Sequence, residues 1–185
     1  RGKNARGRLL PLTDFGLFAE GAHEAFDPTG GGHGLIIDLS GVQLDSVKKA
    51  ASSFVLRKVY RDMFFWEQDS TMKLNIVLDE AHRVLQDKTL PKLLKEGRKF
   101  GVSVVAASQS MADFSKQVVD NVGTKIVFRT NYPNSKSAAN LIRGRDGRDL
   151  SKNIEQLSVG EAYVSTPTLV IARLTKMRND SLSSN

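Results

Sequence analysis

The sequence predicts an α/β fold, with a mostly parallel sheet and flanking helices, and three observations carry that expectation. Residues 74–78 and 102–107 are short aliphatic runs of the kind that a strand covered on both faces needs. Each run closes abruptly on polar side chains, Asp79 and Glu80 after the first and Ser108, Gln109 and Ser110 after the second. A helix-like segment separates them, and strands alternating with helices pair in parallel.

The elements follow in order from periodicity and punctuation. Residues 1–34 are basic and glycine-rich with little periodicity, and read as a loop or insertion in which 9–18 pack. Residues 35–39 read as a strand. From Leu44 to about Gln68, Val47, Ala50, Ala51, Phe54, Val55, Val59, Met63 and Phe64 recur at helical spacing and predict one long helix whose apolar side is core. After the strand at 74–78 comes a short helix with Val84 and Leu85, then a second opened by Pro91 with Leu93 and Leu94 inward, because proline fits a first turn. Beyond the strand at 102–107 the pattern predicts a helix at 111–121, a strand at 125–129 and a helix at 133–142. A hairpin follows, 162–164 with 169–172, turning at Thr166-Pro167-Thr168. Residues 35–178 thus form one domain, and the polar residues 179–185 a flexible tail.

Ligands of open α/β sheets sit at the carboxyl ends of the strands, so Asp79 and Glu80 stand where a ligand would be. The pattern is that of a Walker B motif. There the strand-end acid, Asp79, holds Mg²⁺, usually through water, and the next acid, Glu80, orients and polarises an attacking water. A strand stopping at a helix N-terminus would also collect acids, through the helix dipole and capping. The second strand repeats the geometry and puts Gln109 beside the carboxylates, to sense a γ-phosphate or help place the water; a satisfied amide at a strand end is its plainer reading. In the Glu96-Gly97-Arg98-Lys99-Phe100-Gly101 turn, the Arg98 guanidinium suits phosphate oxygens on a neighbouring subunit, while a solvated basic turn with glycine at the C-cap fits the same spacing. Lys99 shares that turn. Arg143, Arg145 and Arg148 lie on a glycine loop and suit phosphate contact or an interface, or simply water. His82 follows the acids; His23 and His33 have no metal-ligand spacing, and no nucleophile elbow accompanies any histidine.

Taken together, LNIVLDEAH, EGRKFGVSVVAASQS and TKIVFRT resemble the HerA/FtsK superfamily of hexameric DNA-pumping ATPases, on its HerA side. The resemblance runs from GLIIDLS at 34–40 to GEAYV at 160–164. It implies a RecA-like P-loop NTPase core, ATP and Mg²⁺ as cofactors, double-stranded DNA as partner and a hexameric ring. It gives Asp79 and Glu80 the Walker B roles, Gln109 the sensor role and Arg98 that of the intersubunit arginine. A narrower similarity is to the large ATPases of phosphorothioate-dependent restriction, the DptH or DndH type, which implies restriction or DNA-processing subunits as further partners.

One departure matters more than any match: no G-x-x-x-x-G-K-[ST] Walker A motif occurs in the chain. Residues 2–9 and the Gly30-Gly31-Gly32-His33-Gly34 run both lack the lysine and hydroxyl residue in place. Without them, β- and γ-phosphate charge goes uncompensated. The chain, which opens on Arg1, is therefore expected to be the C-terminal part of a RecA-like core whose Walker A strand and loop lie upstream, and to be inactive alone. Three alternatives stand beside a HerA-type motor: a conjugation or secretion ATPase of the same superfamily, a DEAH-type helicase, and a non-catalytic DNA-binding module. A DEAH helicase should end its next strand in Ser-Ala-Thr, not Ala107-Ser108-Gln109-Ser110.

Composition agrees with these expectations. A length of 185 residues with 40% hydrophobic residues suffices for one substantial core. The formal net charge of +7 favours an anionic partner, and nucleic acid over membrane because no long apolar span occurs. The absence of cysteine excludes disulfides, thiolate chemistry and cysteine zinc sites and fits the cytoplasm. No signal peptide is visible in the sequence.

Overall fold

The computed structural model describes residues 34–68, 71–85, 87–142 and 148–177. The chain divides into two compact units, one running to Gln109 and including Asp113–Val118, the other made of Ser110–Ala112 and the residues from Val119 on.

In the first unit, residues 34–39 carry no regular structure, correcting the expected strand. Among the described residues the sheet of this unit pairs 74–78 with 102–106, so this run has no strand ladder; at its end Asp38 accepts the Ser40 N–H at 2.8 Å, and Val42 N–H donates to Leu39 O at 3.2 Å. Helix α1 (Asp45–Asp62) then buries Val47, Leu56 and Val59, with Met63 just beyond it. Positions 56, 59 and 63 share one face, and each such side chain contributes about 1.5–3 kcal/mol on burial. Phe54 and Phe64, expected inside, are each about half exposed, and Leu56 fills the core instead. Phe64 meets Tyr60 and Phe100 edge-on, with ring centroids 5.2 Å apart in both pairs. The helix ends before the expected residue 68. Met63–Phe65 tightens into a 3-10 turn, closed by Trp66 N–H to Met63 O at 3.0 Å, and Trp66 is already extended.

Strands β1 (Leu74–Leu78) and β2 (Val102–Ala106) pair in parallel, in register from Leu74 with Val102 to Leu78 with Ala106. Their connection contains a 3-10 turn (Ala81–Arg83), helix α2 (Thr89–Glu96) and a second 3-10 turn (Gly97–Phe100). Val84 and Leu85 are buried just after the first turn, and α2 turns Leu90 and Leu93 inward, with Pro91 in its first turn. Burial in β1 alternates rather than running continuously: Val77 and Val105, paired in register, are 66% and 51% exposed. Gly101 enters β2 at φ 74°; a Cβ there would stand 2.2 Å from Thr71 O. Its carbonyl accepts the N–H groups of Lys73 and Leu74 at 2.8 and 3.1 Å, so the glycine sets where β1 begins.

The expected helix over 111–121 is interrupted: Met111–Asp113 is a 3-10 turn, and α3 (Lys116–Asn121) starts afresh where Ser115 Oγ accepts the Val118 N–H at 3.3 Å. In the second unit, β3 (Lys125–Val127), β4 (Glu161–Ser165) and β5 (Arg173–Lys176) form an antiparallel sheet in that order. The hairpin's second strand begins later than expected, because Leu169 N–H donates to Thr166 O at 3.1 Å and the two threonine hydroxyls of 166 and 168 bond at 2.9 Å. Helix α4 (Asn134–Leu141) and α5 (Ser151–Glu155), the latter not expected from sequence, contribute Ala138, Ala139 and Ile154 to a core with Ile142 and Ala172. Val127 and Tyr163 of the sheet pack on that core. The insertion expected over 1–34 (all but Gly34), the arginine loop at 143–147 and the tail at 179–185 lie outside the described residues. Among those residues, no helix is long and apolar enough to cross a membrane.

Candidate functional site

Backbone hydrogen bonds tie the carboxyl ends of β1 and β2 together. Ala107 N–H donates to Leu78 O at 3.0 Å and Ala81 N–H to Ala107 O at 2.8 Å, so the residues between Leu78 and Ala81 form a bracket across the two strand ends. That bracket carries Asp79 and Glu80. Asp79 Oδ1 accepts the Glu80 N–H at 3.0 Å. Glu80 stands at φ 46°, ψ 47°, the one non-glycine residue with positive φ among the described residues. A left-handed backbone costs a residue with a Cβ about 1–3 kcal/mol and persists where the surroundings enforce it. Here the bracket enforces it. Glu80 occupies the N-cap position of the 3-10 turn and makes no capping hydrogen bond with its side chain.

Gln109 is exposed two residues past Ala107, at this same end. Ser108 Oγ donates to the Asp113 carboxylate, fixing the segment that leads to it. His82, on the 3-10 turn, is exposed. An open groove of about 1110 Å³ runs between 34–40, α1 and β1 and reaches Asp79 and Glu80, with Lys48 of α1 on its wall.

Arg98 and Lys99 are exposed on the 3-10 turn ahead of β2, at the other end of the strand pair. At about 3.3 Å per residue, the five-residue strands separate them from the acids by roughly 13–17 Å. The sequence put Arg98 between the two strands without saying at which end; the parallel register decides it. Arg148 is exposed in the second unit, and Arg143 and Arg145 lie outside the described residues. Beside Arg148, Asp149 pairs with Lys136 and accepts the Ser151 N–H at 3.0 Å, opening α5.

Sequence reasoning passed over Asp87, which is 8% exposed. Its Oδ1 accepts the Thr89 N–H at 2.7 Å, and its Oδ2 lies 3.4 Å from the Arg57 guanidinium of α1. Burial pushes its carboxyl up, but the Thr89 N–H, the Ser53 and Thr89 hydroxyls and the Arg57 charge outweigh that and hold it below the usual carboxylate value. The signal available was a short acid two residues ahead of Thr89 and four ahead of Pro91, a helix-opening pattern.

No group of three or more metal-ligating side chains occurs among the described residues. A Mg²⁺ ion that keeps several waters and takes phosphate oxygens needs only one or two carboxylates. Asp79, exposed at a strand end with one oxygen engaged by the Glu80 N–H, meets that requirement.

The profile of the type IV secretion-system coupling protein DNA-binding domain matches residues 30–177. The chain is 31% identical to the probable helicase MJECL08 of Methanocaldococcus jannaschii over 110 residues, 56% of this chain and 21% of that protein. It is 28% identical to the DNA double-strand break repair helicase HerA of Saccharolobus solfataricus over 140 residues, 70% of this chain and 28% of the other. It thus spans between a fifth and three tenths of these relatives. Among solved structures, the conjugative coupling protein TrwBdeltaN70 superposes with a TM-score of 0.60 at 15% identity, covering 74% of this chain and 39% of TrwB. TrwB in complex with ADP and Mg²⁺ gives 0.58 at 18%, covering 70% and 35%. These likenesses establish a shared fold, the RecA-like α/β fold expected from the motifs. The chain belongs to the family of the type IV secretion-system coupling protein DNA-binding domain, within the HerA/FtsK/TrwB group that its strand-end motifs resemble.

Proposed function

We propose that this chain is the C-terminal part of the RecA-like motor domain of an ATP-driven DNA translocase or helicase of the HerA type, working in the cytoplasm as part of a hexameric ring. The observation that carries the reading is Glu80: a carboxylate held in a strained backbone, next to Asp79, at the end of a parallel strand where ligands of this architecture bind. Sequence likeness to helicases named HerA supports the motor, and the family's DNA-binding description together with the net charge of +7 supports a DNA partner.

In this reading Asp79, whose Oδ1 takes the Glu80 N–H, would use its other oxygen to hold a hydrated Mg²⁺, which would neutralise phosphate charge. Glu80 accepts a hydrogen bond from the attacking water and polarises it for in-line attack on the γ-phosphate. Gln109, arriving from the neighbouring strand end, donates its amide N–H to a phosphate oxygen or helps hold that water. Arg98, too far from the acids of its own copy, serves the nucleotide of a neighbouring subunit. Lys99 and Arg148, with Arg143 and Arg145, are candidates for DNA or interface contact. A restriction setting with partner subunits rests on the motif resemblance alone.

A second reading, a conjugation or secretion pump of the same group, is favoured by the coupling-protein profile and the TrwB fold match. The two share the acid chemistry and part on the parent's other domains. In the parent protein, Glu80→Gln is expected to keep ATP binding in a titration while hydrolysis falls by about 10²–10⁴-fold, the usual contribution of a positioned base. Undiminished turnover removes Glu80 from the chemistry.

A further inference from the structure

We infer that Asp87 is a positioning residue for the strand-end acids, clamping the far end of the turn that carries them. The inference rests on the acid-site reading and adds a residue to it.

From Glu80 to α2 the chain is a relay of short backbone bonds. Ala81 is held by Ala107, its carbonyl accepts Val84 N–H and Leu85 N–H at 2.8 and 2.9 Å, Val84 O accepts Asp87 N–H at 2.9 Å, and Asp87 O accepts Leu90 N–H at 3.3 Å. Such a series of single turns is soft unless both ends are fixed, because each bond closes only a few residues. The near end is fixed on β2. The far end is fixed by the Asp87 side chain, which reaches the first turn of α2 through Thr89 and reaches α1 through Ser53 and Arg57. A carboxylate 8% exposed is costly to keep unless its oxygens are used, and Asp87 uses them on two separate helices. The same helix α2 leads from this clamp to the turn bearing Arg98. Asp87 therefore sets the spacing of the acid-bearing turn against α1 and the start of α2 without touching the reacting atoms.

The test uses the parent protein and compares Asp87→Ala with Asp87→Asn. An asparagine keeps an oxygen for the Thr89 N–H and turns an amide NH₂ toward α1, where the Ser53 hydroxyl can accept it; only the contact with the Arg57 guanidinium is lost, and that side chain, 64% exposed, stays solvated. Asp87→Ala is expected to speed amide exchange over 81–90 at least tenfold and to lower kcat for ATP hydrolysis by about the same factor with KM changed less than twofold. Asp87→Asn is expected to restore both to within about threefold of the wild type. Ile154→Val, which thins the core of the second unit, controls for general loss of stability and is expected to leave kcat alone. Unchanged exchange over 81–90 in Asp87→Ala overturns the clamp. Faster exchange with unchanged kcat overturns the positioning role when Glu80→Gln abolishes hydrolysis; if Glu80→Gln is silent as well, the acid-site reading is what has failed.

Discussion

Both ends of the β1–β2 pair are closed by backbone bonds, but they carry opposite charges and differ in which residue takes the positive φ. At the carboxyl end, backbone bonds between Leu78, Ala81 and Ala107 lock the strands together and hold two acids, one of them at a positive φ. At the amino end, Arg98 and Lys99 are exposed on a single 3-10 turn, and the positive φ falls to Gly101, which bears no side chain. Acids that position water need a rigid mount, since small misplacements are costly in rate. A cation that reaches toward a second molecule needs length and exposure. Because the strands keep the two ends roughly 13–17 Å apart, an arginine side chain does not bridge them within one copy, and the role proposed for Arg98 requires a second copy.

The largest effect is expected where that separation is tested directly. Arg98→Ala in the parent should assemble and bind ATP yet hydrolyse it about 10³-fold or more slowly, as for other arginine fingers. Mixing Arg98→Ala subunits with Glu80→Gln subunits creates some interfaces where an intact Arg98 faces an intact Glu80, so part of the activity should return in steady-state assays of verified mixed rings. Failure to recover, or full activity of Arg98→Ala alone, makes Arg98 a structural turn residue and turns attention to Arg143 and Arg145.

The site was more legible in the sequence than its surroundings. Asp79, Glu80 and Gln109 were expected at one end because strand-terminal acids and amides follow directly from parallel pairing, and the register of Leu74 with Val102 sets the two strand ends they follow side by side. The strand expected at 35–39 failed because a strand needs a paired neighbour, which apolar periodicity does not register, and among the described residues 74–78 pairs with 102–106. Phe54 and Leu56 exchanged roles since both fit a helical repeat and only packing chooses between them. The left-handed backbone of Glu80 had no signal at all, for nothing but its surroundings puts a glutamate there. Asp87 was readable as a helix-opening acid, though its second attachment, to α1, spans 30 positions of sequence and appears only in the fold.

Gly101→Ala probes the amino end without touching a charge. The new Cβ meets Thr71 O at 2.2 Å and Lys73 N at 3.0 Å, and alanine resists a φ of 74°. A loss of about 1–3 kcal/mol is expected from the backbone alone, read as a lowered midpoint in denaturant titration of the parent, with further loss if the start of β1 shifts. Wild-type stability would mean that the turn relaxes freely and that the amino end is not held by this glycine.

The smallest effect belongs to the second unit, where charge is used to open a helix instead of to face a ligand. Asp149 has its carboxyl lowered to about 2, first by Lys136 and then by the Ser151 backbone and side chain. A depressed carboxyl binds its proton less readily folded than unfolded, so its contribution is fully present above the ordinary value of 3.8 and drains away as pH falls toward about 2. Because the group is exposed, the effect should be slight and screened by salt. Comparing the acid unfolding of wild type and Asp149→Asn between pH 4 and 2 should show the wild type losing more stability across that window, with the gap narrowing in high salt. Parallel acid curves would mean that the Lys136 contact and the Ser151 cap add nothing to α5 beyond what its core residue Ile154 supplies.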